Sequence, residues 1–314
     1  MGEIMVTHLS FFVLGALAVH GERGEIALGG NRQRILLTML LIEANRVVGV
    51  ERLIEAIWGE NPPASARSQV RICVSGLRRQ LTAARAPARI ETQAAGYRLR
   101  VPQDAVDLHH FENLVARIRA EDGDSPGEST ALRFQEALRL WRGPIGEGLD
   151  SPLLETVALK YHEDRYAAIE CRFELELQLG HHRQVLGELA LSVAQYPFRE
   201  TLCAQLMLAL YRSGRTAEAL ALYRDTHRRF TDELGIEPGD RLRELEQLIL
   251  DGEAGQEPLG DLLHREPTAP APRRQEAAVP ACELSTEDRI ALLEEEIASL
   301  REAHARSQRL SKSA

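Results

Sequence analysis

Residues 65–81, SARSQVRICVSGLRRQL, decide how the rest of the chain is placed. Val70, Cys73, Val74, Leu77 and Leu81 recur at the spacing of successive helical turns, so the segment predicts an α-helix with one buried stripe. Its other side carries Arg67, Arg71 and Arg78, four and then seven residues apart and therefore on one ridge, with Ser68, Ser75 and Arg79 beside them. No Asp or Glu interrupts it. An ordinary solvated helix face mixes both signs of charge, and this one does not.

Working outward, Asn61-Pro62-Pro63 breaks the chain before this helix. After it, IETQAAGYRLRV (90–101) alternates Tyr97 and Leu99 with Arg98 and Arg100 and predicts a small hairpin with Gly96 at its turn. Upstream, VERLIEAIWG (50–59) places Leu53, Ile54, Ile57 and Trp58 on one helical face and stops at Gly59. RQRILLTMLLIEAN (32–45) predicts an earlier, buried helix with Asn31 as its cap. The apolar run LSFFVLGALAV (9–19), the turn GERGE (21–25) and the return at Ile26-Ala27-Leu28 predict an N-terminal hairpin.

Strands, three helices and a closing hairpin describe a winged helix-turn-helix over residues 9–101. A helix fits the major groove, arginine presents a donor fork to guanine edges and phosphates, and a hairpin wing reaches the adjacent backbone or minor groove. The expected DNA contacts are Arg67, Ser68, Arg71, Ser75, Arg78 and Arg79 on the helix, and Thr92, Gln93 and Arg98 on the wing. Tyr97 is expected to pack.

Charge divides in the same way. The 314-residue chain has a formal charge of −9, yet residues 1–101 hold 13 Arg, no Lys and 8 Glu, a balance of +5, leaving −14 for the remainder. A basic head on an acidic body suits nucleic acid at one part and protein at the other. With 44% hydrophobic and 27% charged residues, the chain has the size of about two globular domains. No apolar stretch approaches the ~18 residues of a bilayer span, and the patch Phe11–Leu17 lacks a basic flank and a cleavage site, so the expectation is a cytoplasmic, nucleoid-associated protein. Cys73, Cys171, Cys203 and Cys282 form no CxxC pair, which argues for reduced thiols and against a zinc cage or disulfide framework.

From residue 107 to 250 the chain is amphipathic and helical, and Gly180 and Gly214 stand 34 residues apart, the tetratricopeptide period. Val185 and Pro197 follow the first, and Ala217, Ala219 and Tyr223 the second. Residues 251–283 turn rich in Pro, Gly, Glu and Ala and read as a flexible linker. Over 284–310, a cap at Ser285-Thr286-Glu287-Asp288 and a seam of Ile290, Leu293, Ile297 and Leu300 predict a final helix, either lone or coiled-coil. The expected fold is therefore mainly α, with a small α+β winged helix-turn-helix domain followed by an all-α tetratricopeptide-like repeat.

Val74, Leu77, Arg78, Arg79 and Leu81, followed by Gly96, Tyr97 and Leu99, resemble the OmpR-type winged helix. Trp141-Arg142-Gly143-Pro144, LETVALKYHEDRYAAIECRFELELQLG and YRSGRTAEALALYRDTHRRFTDELGIEPG resemble the bacterial transcriptional activation domain. Both domains in this order, over residues 9–250, resemble the Streptomyces antibiotic regulatory protein (SARP) family. The resemblance implies an activator of a secondary-metabolite gene cluster that binds direct repeats in double-stranded promoter DNA and recruits RNA polymerase holoenzyme. Two protomers would then lie side by side on DNA, which leaves a homodimer in solution open. With no receiver domain expected upstream and no ATPase motif found, the chain resembles the small, stand-alone form of the family.

An enzyme has no positive support. His109-His110 and His181-His182 lack carboxylate partners at ligand spacing and read as surface histidines, and His162-Glu163-Asp164 reads as a solvated face. There is no G-x-S-x-G elbow and no dinucleotide fingerprint after a strand, so no catalytic, metal or cofactor residue is expected. The alternative function is a tetratricopeptide adaptor whose winged helix docks proteins. Docking would tolerate acidic or apolar positions on the exposed side of the third helix.

Overall fold

The computed structural model describes residues 10–22, 24–121 and 127–252. Its elements run β1 (Phe11–Phe12), β2 (Ala18–Gly21), β3 (Gly24–Glu25), α1 (Asn31–Ile42), β4 (Val47–Gly49), α2 (Val50–Trp58), α3 (Ala66–Ala83), β5 (Arg89–Thr92) and β6 (Gly96–Arg100). Helices α4 (Asp107–Glu121), α5 (Glu128–Leu138), α6 (Pro152–Gln178), α7 (His182–Gln195), α8 (Glu200–Arg212), α9 (Thr216–Arg229) and α10 (Asp240–Asp251) follow. A small winged helix-turn-helix thus precedes an all-helical body. Cys282, the expected final helix and all of the expected linker beyond Gly252 lie outside the described residues.

The N-terminal apolar run differs from its expected single strand. β1 and β2 pair antiparallel with Phe11 opposite Val19, β2 pairs β3 with His20 opposite Glu25, and residues 13–17 leave the sheet. Gly15 lies there at φ 134°, where a Cβ would stand 3.1 Å from both Arg142 Cβ and the Gly143 nitrogen, so both backbone and space require glycine. Asn31 does not cap α1. Gly30 holds the cap position in extended conformation and Asn31 is the first helical residue.

Gly96 also plays a different part from the one expected. The hairpin turn is Ala94-Ala95, closed by Gln93 N–H donating to Gly96 O at 2.8 Å and Gly96 N–H to Gln93 O at 3.3 Å. Gly96 begins β6, and β6 is the centre of a three-stranded sheet of order β4-β6-β5. A Cβ on Gly96 would meet the Val48 carbonyl oxygen of β4 at 1.9 Å, so close strand approach is what demands glycine.

The expected stripe of α3, Val70, Cys73, Val74, Leu77 and Leu81, is buried throughout. It belongs to a core that runs without a gap from Phe11 through α1–α3 and the β4-β6-β5 sheet to α4, α5 and Leu175 of α6. A second core starts at Phe173 and Leu177 and continues through α7–α10. The expected division between residues 101 and 107 falls inside the first core, and α6 is the element that serves both.

Buried polar groups join the winged helix to the body. Asp107, 1% exposed, accepts from Val13 N (2.8 Å), Leu14 N (3.1 Å) and Leu108 N (2.8 Å), with Arg142 Nη2 at 3.5 Å. Burial pushes its carboxyl up to about 6, against the pull of those backbone donors and Arg142. Ser151 caps α6 by accepting from Leu154 N and donates its own hydroxyl proton to Ala56 O of α2 at 2.7 Å. His109 reaches Leu41 O through Nε2 and Glu112 through Nδ1, both at 3.0 Å. It is a joint between α4 and α1 rather than a surface histidine.

In the body, Gly180 and Gly214 end α6 and α8 at φ 80° and 81°. Val185 and Ala219, and Leu189 and Tyr223, are equivalent positions 34 residues apart in sequence, and all four are buried. The α6–α7 and α8–α9 turns therefore repeat, and α10 packs on α8 and α9. His162 departs from its expected solvated place, its ring 5.5 Å from that of Trp141. His181 is engaged with Glu176 at 2.7 Å.

Candidate nucleic-acid interface

At about 100° per residue, Ser68, Ile72, Ser75 and Arg79 fall within about 60° of arc on the side of α3 opposite its buried stripe. Arg67, Arg71 and Arg78 fall on one flank, about 90° round from that outer line. The arginine ridge is real, but it is not the most outward part of the helix.

The three flank arginines have different surroundings. Arg67 is ion-paired with Glu51 of α2. Arg78 Nε donates to Ile90 O at 2.9 Å and its Nη2 to Thr92 Oγ1 at 2.8 Å, which fastens α3 to β5. Arg71 is exposed and has no hydrogen bond or ion pair among the described residues, and the same holds for Arg79 and Ser75 on the outer line. Ser68 donates to Ser65 O at 2.7 Å, one turn back. Unpaired cations beside a short hydroxyl form a donor-rich surface suited to phosphate oxygens and guanine edges.

The wing candidates do not form one group. Thr92, opposite Tyr97, shares the sheet face of Ile90 and Leu99, the face fastened to α3. Arg98 lies opposite Glu91 and so on the reverse face, its Nε buried without a hydrogen-bond partner. On that face Glu91 binds Arg89 at 3.1 Å and Arg100 at 3.4 Å. Gln93 closes the hairpin tip through its backbone. The structure brings Arg78 and Thr92 together and leaves Arg98 apart from the α3 face. Tyr97 packs, as expected.

Two further side chains stand in this region without having been marked by the sequence pattern. Arg32 of α1 donates to Gln69 Oε1 at 2.5 Å and lies 5.4 Å over the Trp58 ring, adding a cation beside the first turn of α3. No periodicity links it to α3. Ile72 is 67% exposed at the middle of the outer line. Its signal was present in the sequence as an apolar residue on the pole opposite the core stripe.

A winged helix-turn-helix with an acid-free third helix, continuous with a helical body, is the architecture of a bacterial transcriptional regulator. Residues 24–99 match the family described as transcriptional regulatory protein, C terminal, and residues 106–250 match the bacterial transcriptional activator domain. The chain is 33% identical over 256 residues to the regulatory protein DnrI of Streptomyces peucetius, covering 77% of this chain and 92% of that one. It is 38% identical over 245 residues to the regulatory protein AfsR of Streptomyces coelicolor, covering 77% of this chain and 24% of AfsR, about a quarter of that relative's length. The solved structure of Mycobacterium tuberculosis EmbR in complex with a low-affinity phosphopeptide is similar at 35% identity with a TM-score of 0.72, covering 78% of this chain and 66% of that one. The chain belongs to the SARP family of transcriptional regulators, with an OmpR-type winged helix and a bacterial transcriptional activator domain.

Proposed function

We propose that this protein is a sequence-specific DNA-binding activator of a secondary-metabolite gene cluster, which lays α3 in the major groove at direct repeats near a promoter. The observation that carries this reading is the acid-free face of α3 on which Arg71 and Arg79 stand exposed, with no side-chain partner among the described residues. Arg78 holds the β5–β6 hairpin beside that face, so that Thr92 and Gln93 approach the neighbouring backbone as α3 enters the groove. Arg67 adds a cation once its exposed pair with Glu51 yields to phosphate, a small change because exposed pairs contribute about 0–1 kcal/mol. Arg98 serves at long range through its charge.

The gene-cluster assignment rests on family membership alone. RNA polymerase holoenzyme is the proposed partner of the helical body, and the first core, shared by α3 and α4–α6, supports transmission of one orientation from DNA to that body. The protein acts in the cytoplasm, at the nucleoid.

A salt titration of the full chain against promoter fragments from its own gene neighbourhood, with unrelated DNA as competitor and anisotropy as readout, tests the reading. Fragment-selective binding, with log affinity falling linearly in log salt, is expected. Weak binding erased by salt and indifferent to sequence would overturn it in favour of a protein-docking adaptor.

A further inference from the structure

We infer that Ile72 reads the C5-methyl group of a thymine in the major groove, making it a specificity-determining residue of the α3 face. The inference rests on the DNA-binding reading above and deepens it. Ile72 is the large exposed hydrophobic side chain of α3, with two-thirds of its surface open. Ile72 belongs to neither core among the described residues, and α3 is held by the opposite stripe and, through Arg78, by β5.

Its neighbours indicate what covers it. Ser68 one turn before and Ser75 one turn after are short, so the Ile72 side chain stands above them, while Arg71 on the neighbouring flank and Arg79 two turns further along supply positive charge with no side-chain partner among the described residues. An apolar protein surface docked here would desolvate two unpaired guanidinium groups, which is costly. A duplex meets all these groups at once: phosphates and guanine edges take the arginines, and among the bases thymine offers a methyl group in the major groove. A β-branched side chain in a helix is largely held in one χ1 rotamer, so Ile72 presents its methyl groups at a fixed place with little entropy left to lose.

Within the DNA segment that the full chain protects, each thymine is replaced in turn by deoxyuridine, which removes the methyl group and changes no hydrogen bond. The wild-type chain is expected to lose about fourfold in affinity at one thymine of each repeat, the effect of one methyl-sized group leaving an apolar contact. Ile72→Ala is expected to bind the thymine and deoxyuridine versions of that position equally, and Ile72→Val to keep part of the difference. Because Ile72 is exposed, both variants should unfold at the wild-type denaturant midpoint. Indifference of the wild type to every deoxyuridine, or an undiminished response in Ile72→Ala, overturns the inference while leaving selective DNA binding intact. Absence of fragment-selective binding before any base is changed overturns the DNA-binding reading, and this inference with it.

Discussion

The outward face of α3 and the seam around Asp107 are built on different length scales. Ser68, Arg71, Ile72, Ser75 and Arg79 lie within a few turns of one helix, and what places them together is the helical period. Asp107 takes hydrogen bonds from residues 94 and 93 positions earlier and lies beside Arg142, which comes later. A binding face can therefore be carried by local pattern and left open to solvent. The joint between winged helix and body combines a continuous apolar core with a few buried polar groups, and among those groups each lost partner strands another.

Removing the carboxylate should separate the two regions most sharply. Asp107→Ala leaves the Val13, Leu14 and Leu108 N–H groups without their acceptor, and a loss of about 3 kcal/mol is expected in urea unfolding. DNA affinity of the folded fraction should stay near wild type. A stability unchanged within error would mean that the seam does not hold the winged helix to the body.

The converse pattern is expected on α3. Arg71→Ala and Arg79→Ala should each lose about 1–3 kcal/mol of DNA affinity if they read a base, or lower the salt slope by about 1 if they bind phosphate. Neither should move the unfolding midpoint. Unaltered affinity and slope in both variants would sink the interface assignment.

Arg78 lies between these extremes and sharpens the contrast. Its bonds to Ile90 O and Thr92 Oγ1 are lost in Arg78→Ala, so about 1 kcal/mol of stability should go, with a smaller loss of affinity than for Arg71→Ala. An effect on affinity alone would place Arg78 among the groups that contact DNA and not among those that hold the wing.

The smallest expected effect is the part of the pH dependence that the half-buried histidines of the body contribute. Burial holds the His110, His162 and His182 pKa values below the ordinary 6.5. As pH falls through 6.5 the unfolded chain takes up protons on these histidines before the folded one, so the stability they contribute is present above that pH and declines below it, while Asp107, raised to about 6, is protonated in the folded chain first and works in the opposite direction. Circular dichroism melts at pH 7.5 and 5.5 check this. His162→Asn should flatten the decline, and a slope identical to wild type would remove His162 from it.

Legibility followed the same division. The stripe and ridge of α3, the helix α2 ended by Gly59, and the 34-residue spacing of Gly180 and Gly214 could be read because each depends on residues close in sequence. Gly96 was readable as necessary but not for the right reason, because the Val48 carbonyl that excludes a Cβ belongs to a strand nearly fifty residues earlier. Arg67 and Arg78 looked equivalent to Arg71 until Glu51 and Thr92 came into place beside them. Arg98 was readable as alternating with Tyr97 and Leu99, but that the Tyr97 and Leu99 face is the one fastened to α3, which leaves Arg98 on the reverse face opposite Glu91, depended on how the sheet packs.

By itself the amino-acid sequence determined the helical body, the winged head, the stripe that buries α3 and the absence of acid from its exposed side, because periodicity and charge are properties of neighbours in the chain. Only the tertiary structure decided which arginines of α3 find partners among the described residues, that no neighbouring segment covers Ile72, and that Asp107 closes the seam. Those outcomes depend on groups brought together from distant segments, whose hydrogen bonds and burial exist only once the chain has folded.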